Sequence, residues 1–455
     1  MSKEVFSYID SHAAQFVEDL KRLCRQPSVS TRNEGMRECA SLVRDMMIES
    51  GVQCKEMPVP GGYPVFFGEV ETHKSDKTLG FYNHYDVQPP EPLELWGSPP
   101  FSAEERDGKI YARGVSDNKG NLVARLKALE AIRASVGDLP VNLKFLVEGE
   151  EEIGSPHLFD FVKKNKAMLA ADAYIWESGS KDPADRPEIR LGVKGILYVE
   201  LKAKGAKSDL HSGKWAKLVV NPAWRLVWAL NTLKNEKEEV LIDGFYDDVK
   251  KPTREEMTIL RQTPFEGKKI KQELGIREFL GGKKGLEALK TNIFEPSCNI
   301  CGFNSGYGGP GSKTVLPNKA SVKMDIRLVA DQDPDDIFTK LKKHLVKKGF
   351  GDIELEQVGF GYPPARTSPR EQIVQIAVKT AREVYGKEPV LSWSTGSSPI
   401  YTVTRNLKVP VVGAGIDYIY CANHAPNENL RVKEDFIQGI KHIAAIIMMF
   451  GREQK

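Results

Sequence analysis

Short apolar strands alternating with amphipathic helices, a mid-chain stretch of different texture, and a globular composition together predict an α/β protein carrying a smaller inserted α+β domain. The alternation fills the first part of the chain, stops near Gly192 and resumes after the segment YPPARTSP. The chain therefore divides into an α/β domain made of residues 1–191 and 366–455, and an insert over 192–365. The α/β domain is expected to have a central, mostly parallel sheet with helices on both faces. Hydrophobic residues are 40% of the chain of 455 and charged residues 28%, which excludes global disorder and fibrous repeats. With 65 Lys and Arg against 62 Asp and Glu, the net charge is only +3, so no nucleic-acid partner is expected.

Residues 3–24 and 33–50 read as amphipathic helices. Val65–Val70, Thr78–Asp86 and Val141–Glu148 read as short apolar strands. Between the last two, a helix from Lys119 to about Ala134 places Leu122, Leu126 and Leu129 at i, i+4 and i+7, one buried face. Ala171–Glu177 reads as another strand. In the insert, strand-like Gly195–Ala203 precedes helix-like Pro222–Leu233, and the charged Lys234–Lys290 has the pattern of surface helices and long loops. A Gly-rich segment, CGFNSGYGGPGSKTVLP, follows. A strand Ala320–Leu328, a helix Pro334–Lys348 and a strand Asp352–Val358 complete an order that suits a small α+β domain. Helices at Arg370–Tyr385 and Lys433–Phe450 then flank short strands near Val390 and Val411.

Cys24, Cys39, Cys54, Cys298, Cys301 and Cys421 do not make a disulfide framework. The start, MSKEVFSYIDSHAAQF, lacks the apolar core of a secretory signal, and the longest apolar run, Ile443–Phe450, is too short to span a bilayer. A reduced, cytoplasmic protein without membrane contact is the expectation.

Five segments put charge or imidazole at the ends of apolar strands. In FYNHYDVQPP, His84 and Asp86 point to the same side of a strand, so Asp86 can hydrogen-bond the second nitrogen of a metal-binding His84. Asp117, in ARGVSDNKGN, sits just before a helix start, where Asp is also an ordinary N-cap. VEGEEEIGS runs a strand into Glu150, Glu151 and Glu152, whose mutual repulsion calls for a cation or for solvent. AYIWESG ends a strand on Glu177, and CANHAPNEN places His424 after a strand and turn. Ligands in open α/β sheets gather at the carboxyl ends of strands. Two imidazoles with three carboxylates suit a pair of Zn²⁺, Mn²⁺ or Co²⁺ ions, one carboxylate bridging them and a further carboxylate serving as general base.

At these residues the sequence resembles the M20 family of metallopeptidases, and within it the cytosolic nonspecific dipeptidase and carnosinase branch, with carboxypeptidase-like members close behind. HYDVQPPEP, LWGSPPF, GKIYARGVSDNKG, EGEEEIGS, DLHSG, GSKTVLPN, DIRL and the late His424 carry the resemblance along nearly the whole chain. It implies that His84 and Glu177 bind one metal ion, Glu152 and His424 the other, and that Asp117 bridges them. Glu151 is then the general base and Asp86 orients His84; the Gly-Ser that follows Ile153 sets this register over the alternative Glu150–Glu151. A cis peptide is implied after the bridging Asp, at Asp117–Asn118. The insert becomes a ferredoxin-like lid and dimerisation domain, with Gly195–Ala203 or the Pro222–Leu233 helix near a twofold interface. Within it His211, Thr314 and Arg327 match positions that hold substrate and stabilise the oxyanion, and Ser397 matches a residue near the substrate carboxylate.

The implied activity is amide hydrolysis in a dipeptide or short peptide, next to a free C-terminal carboxylate. One departure bears on the substrate. Glu177 stands where dipeptidases of this branch have Asp, and Glu is more usual among acylase and carboxypeptidase members, so longer peptide C-termini and N-acyl amino acids are the alternatives. A catalytically dead binding or assembly protein would be expected to lack the base or the bridge, and Glu151 and Asp117 are both in place. A nucleotide-binding protein would need a Gly-rich strand-to-helix fingerprint, and GYGGPGSKT does not place Lys directly after its second Gly. Cys298 and Cys301 form a C-x-x-C with no second ligand pair spaced for zinc. His12, His73, His157, His344 and His442 read as surface or partly packed residues, and Trp215, Trp224 and Trp228 as packing within the lid.

Overall fold

The structure is a computed structural model that describes residues 2–177, 179–359 and 361–452. It contains two compact units. One comprises Met1–Gly192, Thr367–Trp393 and Pro399–Lys455, and the other Val193–Arg366 with Ser394–Ser398.

Four parallel strands form the centre of the first unit's sheet, in the order Asn142–Glu148, Thr78–His84, Ala173–Trp176 and Val411–Gly413. The flanks are antiparallel. Val65–Val70 pairs with Asn142–Glu148, Gln53–Met57 with Val65–Val70, and Glu188–Val193 with Val411–Gly413. The sheet is therefore mixed, which corrects the expectation of a mostly parallel one. Connection length explains the difference. Parallel neighbours need a crossover, and the helix Lys119–Val136 supplies it between Thr78–His84 and Asn142–Glu148. A short turn joins Gln53–Met57 to Val65–Val70, which permits only a hairpin.

The central strands are buried on both faces, Thr78–His84 from Leu79 onward and Ala173–Trp176 throughout, so packed layers cover both sides of the sheet. The helix Lys119–Val136 was expected to bury one face. It is buried nearly all round, Lys119, Arg125 and Lys127 included, because it packs against helices Ser2–Ser11, Ala13–Arg25 and Gln438–Arg452 as well as the sheet. The long helix expected over residues 3–24 breaks at His12 into two. A turn of π-helix, Val432–Ile437, leads into Gln438–Arg452. His442 and His344 are fully buried, not partly packed.

The second unit runs strand Gly195–Lys204, helix Pro222–Leu230, strands Ser297–Ser305 and Lys319–Leu328, helix Pro334–Lys347 and strand Glu354–Gln357. Its four-stranded sheet is antiparallel, ordered Ser297–Ser305, Lys319–Leu328, Gly195–Lys204, Glu354–Gln357. Both helices start where their sequences say. The Asn221 and Asp333 side chains cap the first amides, and Pro222 and Pro334 occupy the first turn. Burial alternates along Gly195–Lys204, and Leu197, Val199 and Leu201 join Leu226, Val322, Ile326 and Leu341 in the core under the helices. Gly195–Lys204 has a neighbour on each side, so its edge is not free to pair with another chain. The Gly-rich segment from Cys301 begins inside an edge strand, Ser297–Ser305, which is largely exposed on both faces beyond the buried Cys298 and so lacks alternation. Trp215, Trp224 and Trp228 are 43%, 56% and 54% exposed, which corrects their reading as packing within the unit. No helix among the described residues is long and apolar enough to cross a membrane.

Candidate active site

Three adjacent parallel strands of the first unit deliver side chains at their carboxyl ends, where an open α/β sheet exposes its loops. His84 closes Thr78–His84, in register with Glu148 of the next strand. Glu151 and Glu152 follow on a single 3₁₀ turn, which ends at Gly154 with φ of 91°, a left-handed position that favours glycine. Glu177 follows Ala173–Trp176. Asp117 lies on the loop before Lys119–Val136, and its peptide bond to Asn118 is cis. His424 sits beyond Val411–Gly413 in the left-handed region, φ 60°, a conformation that only surrounding contacts hold for a histidine.

These residues converge. His84 Nε2 lies 3.1 Å from Asp117 Oδ1 and 3.3 Å from Glu177 Oε2. His424 Nε2 lies 3.2 Å from Asp117 Oδ2 and 3.3 Å from Glu152 Oε2. The two clusters share Asp117, one oxygen each. In the first cluster the His84 and Glu177 side chains are at most 8% exposed, whereas His424 in the second is 53% exposed. Each imidazole nitrogen faces two carboxylate oxygens but could give a proton to only one. Glu177 Oε2 is buried and receives no hydrogen bond. Lone pairs pointing at a common centre with an orphaned buried oxygen are what a divalent cation satisfies, and imidazole with carboxylate is a donor set for Zn²⁺, Mn²⁺ or Co²⁺. His84, Asp117 and Glu152 alone place ligand atoms within 4.8 Å of one another.

The electrostatics are those of crowded carboxylates. Burial, reinforced by Glu177, pushes the Glu151 carboxyl well up. Burial likewise lifts Glu177 to about 8, with His84 opposing. Hydrogen bonds to Asp117 and Glu152 raise His424 to about 10. Burial works against a charged His84, yet Glu177, Asp117 and Asp86 raise it well above the usual imidazole range. Asp117 is held below the carboxylate range: burial opposes this, and the His424 and His84 hydrogen bonds prevail.

The surroundings fix the ligands in ways the sequence did not disclose. Asp86 was expected to orient His84 through its carboxylate. Its Oδ1 lies 3.4 Å from His84 Nδ1, on the side expected of it, and its main-chain oxygen lies nearer, at 3.0 Å. The Asp86 carboxylate accepts the amides of Glu151 and Glu152 at 3.2 and 3.0 Å and so sets the 3₁₀ turn. Gln88 Nε2 donates to Glu152 Oε2 at 2.9 Å. Glu428, fully buried, accepts the amides of Gly114, Ser116 and Asp117 at 2.9, 3.0 and 3.1 Å and the Arg113 guanidinium at 2.7 Å. It braces the loop that presents Asp117. Nothing in the sequence signals this, because its partners lie more than 300 residues away and three of the four are main-chain amides.

The remaining candidates lie in the second unit and fall into two pairs. His211 is exposed, its Nδ1 accepts the Gly213 amide at 3.1 Å, and the neighbouring Ser212 amide donates to the Thr314 carbonyl. Arg327 Nη1 donates to Ser397 Oγ at 3.1 Å, while its Nε donates to Asp325 Oδ2 at 3.0 Å.

Comparison with known proteins agrees with this geometry. The chain is 39% identical to an M20 family metallo-carboxypeptidase of known structure from Sulfolobus solfataricus, covering 96% of this chain and 99% of that one with a TM-score of 0.88. It is 28% identical to the Beta-Ala-His dipeptidase of Rattus norvegicus, over 99% of this chain and 96% of that protein. It is 29% identical to the Cys-Gly metallodipeptidase of Saccharomyces cerevisiae, over 98% of each. The model of peptidase family M20/M25/M40 matches residues 80–449, and the chain belongs to that family.

Proposed function

We propose that this chain is a metallopeptidase that hydrolyses the amide bond of dipeptides or short peptides next to a free C-terminal carboxylate. The observation that carries the reading is the pair of imidazole–carboxylate clusters sharing Asp117. His84 and Glu177 would hold one divalent ion, Glu152 and His424 the other, and Asp117 both, with zinc the first choice and manganese or cobalt the alternatives. When bound, such a pair supplies Lewis acidity and an activated water. Glu151, on the same turn as Glu152, would take the proton from that water and pass it to the leaving amine. Asp86 holds the turn, and with it the aim of the base. The family resemblance assigns His211 to the oxyanion, Thr314 and Arg327 to substrate, and Ser397 to the neighbourhood of its carboxylate.

The β-α-β-β-α-β order of the second unit supports the reading of a ferredoxin-like lid. Its exposed Trp224 and Trp228, stacked on the Pro222–Leu230 helix, support that helix as part of a homodimer interface, as does the uncovered edge strand Ser297–Ser305. Free cysteines suit a reducing cytoplasm.

The dipeptidase names of two relatives favour dipeptides. Glu177 favours a second reading, longer peptides or N-acyl amino acids. A product-release assay over dipeptides, N-acetyl amino acids and longer peptides, each with Zn²⁺, Mn²⁺ or Co²⁺, decides between them. Dipeptides should be cleaved fastest, and cleavage of acetyl amino acids alone would overturn the peptidase reading in favour of a deacylase.

A further inference from the structure

Arg125 is almost completely buried, on the helix that begins directly after Asp117–Asn118. Its Nη1 donates to the Tyr82 carbonyl and, at 2.6 Å, to Asn83 Oδ1. Its Nη2 donates to the Trp176 carbonyl at 2.5 Å. These acceptors are neutral, although burying a charge is costly unless something compensates it. Their positions are informative. Asn83 precedes His84, and Trp176 precedes Glu177. The Tyr82 and Trp176 rings stack face to face with centroids 3.7 Å apart, so the two strands are locked beside each other where they end. Asn83 Nδ2 in turn donates to Asn118 Oδ1, and Asn118 follows Asp117. A single guanidinium thus reaches, directly or through one amide, the residues next to His84, Glu177 and Asp117. Glu152 is fixed by different groups, the Gln88 amide and the Asp86 carboxylate.

We propose that Arg125 is a positioning residue for the deeper metal cluster, its planar fork setting the spacing of His84 and Glu177, the two ligands that cluster does not share, and reaching the shared Asp117 only through Asn83 and Asn118. The proposal rests on the two-ion reading above. Lysine cannot replace arginine in this role, because one ammonium on a flexible stem cannot span two strands with a fixed geometry. Groups that orient metal ligands from behind typically change metal affinity 10–100-fold when removed.

The test measures stepwise Zn²⁺ dissociation constants of the metal-free full chain by competition with a chromophoric chelator. Arg125→Lys should weaken one ion about 10–100-fold and leave the other within about threefold. Combination with His424→Ala, which leaves the deeper cluster to be read by itself, should retain the loss. Combination with His84→Ala should abolish it. A residue that merely holds the core together would move both ions or neither, and either result overturns the proposal. If Arg125→Lys shows no cooperative unfolding transition, Asn83→Ala decides. It removes the acceptor of Arg125 that lies beside His84 and should weaken the same ion about tenfold, and unchanged affinities would overturn the proposal. Uptake of fewer than two ions by the unsubstituted chain would overturn the two-ion reading and this inference together, a result distinct from the others.

Discussion

Glu428 touches no ligand side chain of the two clusters, yet its carboxylate gathers three main-chain amides, that of Asp117 among them, and one guanidinium. Removing one partner of a buried pair leaves the other charge without compensation, which costs about 3–5 kcal/mol. Glu428→Ala should therefore lower the free energy of denaturant unfolding by about that much, with the three amides adding to the loss. An unchanged unfolding midpoint and slope would contradict the role assigned to it. At this scale the converging side chains were legible in the sequence, because His84 ends an apolar strand, Glu151, Glu152 and Glu177 closely follow one, and ligands collect at such ends. Glu428, Gln88 and Arg125 were not. Their partners lie on distant segments, and for Glu428 and Arg125 most are main-chain groups, which leave no mark on residue type. Asp86 shows the same limit. Its spacing from His84 was readable, but not that its carboxylate would turn to the Glu151 and Glu152 amides.

Packing between elements decides what a helix must tolerate. Gln438–Arg452 lies against Gln372–Tyr385, and His442 on the first is buried with its Nε2 3.1 Å from the Ala377 carbonyl of the second. Burial holds this imidazole down at about 4, against that hydrogen bond and with the help of Lys181. The unfolded chain protonates the same side chain near pH 6.5, so between about pH 6.5 and 4 the unfolded state binds the extra proton. The stabilisation is thus complete above about pH 6.5 and drains away as the pH falls through that window, by roughly 2–3 kcal/mol at pH 4.5. His442→Leu should lose less stability than the unsubstituted chain between pH 7 and pH 4.5, measured by urea unfolding of the metal-free proteins. Equal losses would contradict the buried neutral imidazole. Among elements, the central strands could be read from their continuous apolar runs, which burial on both faces requires. Gln53–Met57 and Ser297–Ser305 could not, since exposed edge strands carry no such run. The all-round burial of Lys119–Val136 was also hidden, because its lysines and arginine read as a solvent face until Lys119 is seen donating to the Leu23 and Gln26 carbonyls.

For the whole molecule, the change of texture near Gly192 falls where the second compact unit begins, whereas the exposure of its tryptophans depends on which helix face meets the sheet. If two copies pair through this unit and His211 serves the partner's site, mixing inactive Glu151→Gln with inactive His211→Ala should restore activity through heterodimers having one intact site. Verified subunit exchange without recovery would contradict it. The central claim is that five side chains bind metal and a sixth moves the proton. Glu151→Gln separates the two roles in one protein. Measured together, metal content should remain at the unsubstituted level while turnover falls about 10²–10⁴-fold, the worth of a general base. Loss of an ion from Glu151→Gln would contradict the account, because Glu151 would then be a ligand and not the base.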